Sequence, residues 1–142
     1  MNPQVIFLVL VALAPMLGLI PLIRGWQHLN AFLKRMPRLA TEADLREFKA
    51  LARRQMILAL VQFGVLASPW AVFALGLATG NLTLSDSVFS VGACAVVLAV
   101  GLAMHFVEKR AQSLPTDTPE LAQARDAVVK TWRRKALPDW AD

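Results

Sequence analysis

His28 and His105 are the residues of this 142-residue sequence that come nearest to a cofactor chemistry. His28 follows one long apolar stretch and His105 lies about one turn inside the end of another, so both fall at similar depth beside one water–lipid boundary. Two imidazoles at one depth can ligate a haem b or line a quinone site. A haem requires its histidines on facing helices, and imidazole also suits an interface without any ligand. His105 and Glu108 are one helical turn apart, and Glu42, Asp44 and Glu47 cluster in another segment. A di-iron bundle uses repeated Glu-x-x-His pairs with further carboxylates in its core, and one reversed pair does not supply them. Cys94 is the sole cysteine and has no zinc-type spacing around it, so it reads as a small residue at a helix interface. The sequence carries no Gly-rich phosphate loop, nucleophile elbow or HExxH motif. It therefore predicts no enzyme, resident cofactor or metal.

The elements that must position these residues are membrane helices. Hydrophobic residues make up 56% of the chain and charged residues only 18%, whereas a soluble domain is nearer half apolar and a quarter charged. Mean hydropathy is +0.50. Three uncharged apolar runs, 5–23, 56–79 and 87–107, are each long enough to cross ~30 Å of hydrocarbon as a helix. Ala12-Leu13-Ala14 has the small-x-small form of a cleavage site. The run nevertheless continues to Ile23 and no basic segment precedes it, which predicts a retained first span.

All 15 Lys and Arg residues fall in two blocks, eight from Arg24 to Arg54 and seven from Lys109 to Lys135. Positive charge marks the cytoplasmic side, so the expected topology is N-out/C-in at a bacterial inner membrane. The same distribution suits an anionic lipid surface at the cytoplasmic face and argues against nucleic acid. The segment 80–86 has no base and a single acid, and is predicted to be an outside turn joining spans two and three as a hairpin. Asn81-Leu82-Thr83 matches a glycosylation acceptor but lies close to the bilayer and reads as turn chemistry. Pro15, Pro21 and Pro69 interrupt the spans and are expected to kink them.

The division expected is a transmembrane domain over 1–113, including a cytoplasmic helical hairpin at 24–55, followed by a tail over 114–142. In the hairpin, Trp26, Leu29, Phe32, Leu33 and Met36 recur at helical spacing, extending the first helix to Met36 before Pro37 stops it. Thr41 and Asp44 form a capped start for one helix from Glu42 to about Ala78, carrying Leu45 and Phe48 on its apolar stripe. In the tail, Thr118-Pro119-Glu120 opens an amphipathic helix over about 119–136, with Leu121, Val128 and Trp132 on one face. Basic residues close that helix, Pro138 ends it, and Trp140 follows. Trp26, Phe32, Leu45, Phe48, Leu121, Val128, Trp132 and Trp140 are thus the expected membrane- or partner-docking residues.

Small residues admit close helix approach. Gly92, Ala95, Ala99 and Ala103 in span three, and Gly64 and Ser68 in span two, are expected to face each other across the hairpin.

The order of parts is similar to that of the ExbB, TolQ and MotA energy-transducing membrane proteins: an outside N-terminus, a cytoplasmic segment, then a paired hairpin. The loop here is much shorter and spans two and three have no threonine-rich stripe, so no residue role is carried over. The expectation from sequence is a non-catalytic accessory or scaffold subunit of a larger membrane complex, respiratory or photosynthetic in kind, in contact with other subunits. A self-associating channel or stator-like element is the alternative. A haem- or quinone-binding redox protein is the second.

Overall fold

A computed structural model describes residues 2–134. Among these the chain forms four α-helices: α1 (Pro3–Arg35), α2 (Glu42–Ala78), α3 (Ser87–Gln112) and α4 (Pro119–Arg134), with a 3-10 turn at Leu84–Asp86 ahead of α3. The protein is all-helical, and the helical segments Pro3–Arg35, Glu42–Ala78 and Leu84–Gln112 are long and apolar enough to cross a membrane. The basic end of the tail helix at Lys135, the expected stop at Pro138 and the docking residue Trp140 lie outside the described residues.

Local chemistry sets the helix ends. The carboxylate of Asp44 accepts the backbone N–H groups of Ala40 and Thr41 at 2.9 Å each, and the Asp44 N–H donates to Thr41 Oγ1 at 3.2 Å. This reciprocal cap satisfies donors that the first turn of α2 leaves unpaired. At the other end Gly80 has φ +69°, a left-handed conformation that glycine adopts without strain. Its N–H bonds Leu77 O, and the Asn81 and Leu82 N–H groups both return to Gly76 O, which closes the helix. Asn81 Nδ2 donates to Thr79 Oγ1 at 2.8 Å, placing that side chain in the turn. The α4 cap is a single bond from the Leu121 N–H to Thr118 Oγ1 at 3.3 Å.

The chain divides into two compact units, and α1, α2 and α3 each contribute to both. Unit 1 comprises Met1–Ile23 and Val61–Leu102. Within it the Val65 side chain occupies the space that a Cβ on Gly18 would need, the Gln62 amide does the same at Gly101, and Leu82 does so at Gly76. Pro69 has no N–H to give the Val65 carbonyl, and Ser68 Oγ donates to that carbonyl instead at 2.8 Å. Across the hairpin Ser90 Oγ donates to Pro69 O at 3.3 Å and Cys94 Sγ to Leu66 O at 3.5 Å.

The facing surfaces of α2 and α3 therefore differ from those expected. Gly92, Ala95, Ala99 and Ala103 are exposed, as is Gly64, and a Cβ at Gly64 or Gly92 would meet no atom within 4 Å. The buried face of α3 carries Ser90 and Val97 instead, with Cys94 partly buried beside them. The cause is physical. In helices that are apolar all round, small size alone does not fix which side meets a neighbour.

Unit 2 joins Arg24–Leu60 to Ala103–Asp142. The tail is thus no separate body: α4 packs with the basic segment made of the end of α1 and the start of α2. The core takes Leu29 and Phe32 from α1, Phe48 and Ala52 from α2, Ala111 from α3, and Val128 and Trp132 from α4. The α1–α2 connection is tied to the α3–α4 connection by two backbone bonds, from the Leu39 N–H to Pro115 O at 2.9 Å and from the Asp117 N–H to Leu39 O at 3.1 Å.

Candidate functional site

The aromatic residues read as docking groups have another role in the structure. Phe32 lies 6.5 Å from Phe48 between ring centroids, and Phe48 meets Trp132 edge to face at 6.0 Å. With Leu121 and Val128 they are buried inside unit 2. The apolar face of α4 finds its partner within its own chain, so these five residues are core rather than docking surface. Each such side chain stabilises by roughly 1.5–3 kcal/mol on burial. Leu45 packs against the same cluster while partly buried. Trp26 alone of the described docking candidates stays exposed, at 38%.

His28 and His105 line different grooves of unit 2. His28 shares one with Phe32, Arg35, Glu47 and Arg54. The ion pair there, Arg35 with Glu47, has side chains more than half exposed, and such pairs contribute little. The structure does not assemble the two imidazoles into a single site.

The second groove is chemically richer. Gln55 and Met56 of α2, His105, Glu108, Lys109 and Gln112 of α3, and Trp132 and Arg133 of α4 line it, with a volume of about 340 Å³. Each element delivers its residues by helical spacing. His105, Glu108, Lys109 and Gln112 lie within two turns on one side of α3. Arg133 falls beside the core residue Trp132, and its Nε donates to Gln112 Oε1 at 2.9 Å, joining α4 to α3 above the groove floor. Gln55 is 1% exposed. Its Nε2 donates to Gly25 O at 3.4 Å, while its Oε1 is buried with no hydrogen-bond partner. A buried acceptor left unpaired costs about 1–3 kcal/mol, and native structures seldom leave one so.

Gln55 was missed as a site residue because it reads only as the last polar position before an apolar run. The usable signal was a polar amide one residue ahead of Met56, in a stretch where every other buried residue is apolar. Gly25 was missed too. The Leu58 side chain occupies the space that a Cβ on Gly25 would need, so this glycine admits α2 to α1 beside the carbonyl that Gln55 engages.

Among the described residues no cluster of three or more His, Cys, Asp or Glu is placed to hold a metal ion. Comparison with protein families, characterised proteins and solved structures finds no significant match to this chain.

Proposed function

We propose that this protein is a small inner-membrane accessory or scaffold subunit of a larger bacterial membrane complex, oriented N-out/C-in. The observation that carries the reading is how little the apolar helices bury one another. In the most apolar windows of the three candidate spans, 17%, 28% and 17% of residues are buried. The remainder needs lipid or other helices around it. Two exposed strips favour helices: Gly92, Ala95, Ala99 and Ala103 on α3, and Gly64 and Ala71 on α2 permit the close backbone approach that drives helix association in lipid. The basic residues of unit 2 support the assignment of that unit to the cytoplasm.

Purification in a mild detergent tests this. Stoichiometric membrane subunits should accompany the full-length chain, and a monomer recovered alone would sink the proposal. The same exposed strips suit self-association, the channel or stator-like alternative. Disulfide crosslinking through Ala95→Cys, on the exposed strip of α3, in a Cys94→Ser background separates the two readings, because only a homo-oligomer yields a crosslinked dimer.

A further inference from the structure

We propose that the groove between α2, α3 and α4 of unit 2 binds the headgroup of a zwitterionic phospholipid that carries N–H donors, of the phosphatidylethanolamine kind. The inference rests on residence in a membrane, and not on which complex the protein joins.

Three observations converge on this ligand class. First, Gln55 lines the groove and its buried Oε1 has no donor. Second, the groove that Gln55 lines holds both signs of charge: Glu108 as acid, and Lys109 with Arg133 as bases. The Nε of Arg133 is engaged by Gln112, which fixes the guanidinium at the rim. Third, position fits. Gln55 immediately precedes the apolar run 56–79 and Glu108 immediately follows the run 87–107, so both lie at headgroup depth. A volume of about 340 Å³ is at the lower end of small-ligand clefts, suiting a headgroup rather than a whole lipid.

The chemistry discriminates among ligands. A primary ammonium donates to the Gln55 carbonyl and to the Glu108 carboxyl at once, while the adjoining phosphate meets Lys109 and Arg133. Phosphatidylcholine presents a quaternary ammonium with no N–H, and a quinone presents only acceptors, so neither satisfies Gln55. An anionic headgroup engages the bases and leaves Glu108 opposed.

The test uses the full-length protein in nanodiscs of equimolar phosphatidylethanolamine and phosphatidylcholine, with retained lipid counted by native mass spectrometry after release. Sedimentation with the membrane fraction is checked first, because a soluble chain refutes membrane residence itself rather than the site. Wild type should retain phosphatidylethanolamine about tenfold over phosphatidylcholine, the scale of one or two charge-assisted hydrogen bonds. Retention should fall stepwise through the N-monomethyl and N,N-dimethyl headgroups. Gln55→Leu and Glu108→Gln should each reduce the preference several-fold. Equal retention of the two lipids by wild type, an undiminished preference in both variants, or a stoichiometric co-purified quinone would each overturn the proposal. The methylation series needs no variant and stands even if a substitution unfolds unit 2.

Discussion

Trp132 meets Phe48 edge to face at the centre of unit 2, and both rings are at least nine-tenths buried. Truncating a buried Trp removes its transfer energy and leaves a cavity. Trp132→Ala should therefore destabilise unit 2 by about 3–5 kcal/mol, read as a shifted denaturant midpoint and faster proteolysis at the α3–α4 connection. An unchanged midpoint would mean that α4 contributes nothing to the core. Asp44 gives a pH prediction. The backbone N–H of Ala40, then that of Thr41, hold its carboxyl below the usual carboxylate range. A group depressed in the folded state contributes its stability above the unfolded pKa and loses it as pH falls through the folded one. The gap between wild type and Asp44→Ala should thus be full at neutral pH and close below about pH 4. A gap that persists in acid would rule out the charged cap. The cap itself was legible in Thr41 and Asp44, because it is a contact over three residues. The partner of Trp132 was not, since Phe48 is far away in sequence and nothing local distinguishes a docking Trp from a core one.

At the level of helices, α2 could be read from end to end, from the cap at Asp44 to the stop at Gly80, because capping and left-handed glycine are local chemistry. Which face of each helix meets its neighbour could not. A helix surrounded by lipid is apolar on every side, so periodicity loses its meaning there, whereas α4 lies in the polar, charged tail and shows its buried face plainly. The two glycines that matter for the entry of α2 are Gly18 and Gly25 on α1, filled by Val65 and Leu58 respectively. Gly25→Leu should force the Leu58 side chain off its rotamer and cost about 1–3 kcal/mol. Gly92→Leu, where a Cβ meets nothing within 4 Å, should leave the unfolding midpoint of the isolated chain in place while weakening co-purification of partners. If both substitutions prove equally disruptive to the isolated chain, the assignment of these faces is wrong.

On the scale of the whole molecule, one unit is apolar and the other basic, and orientation can be checked directly. In a Cys94→Ser background, Ser85→Cys in the turn before α3 should react with a membrane-impermeant maleimide on intact cells. Ser113→Cys, after α3, should react only once the membrane is opened. The opposite pattern would invert the topology. Composition carried the existence of three apolar helices, and charge placement carried the orientation proposed. The division into units was not legible, because it depends on α4 closing against α1 and α2 across most of the chain.

The contact that closes Trp132 over Phe48 has a consequence for biogenesis. Phe32 and Phe48 are synthesised more than eighty residues before the Trp132 that closes over Phe48. Until then the growing chain leaves that aromatic surface uncovered, and exposed intermediates of this kind aggregate or are degraded. Completion of unit 2 thereby reports that the third apolar helix has already been made. A chain stalled or truncated before α4 carries an open core that quality-control proteases can recognise.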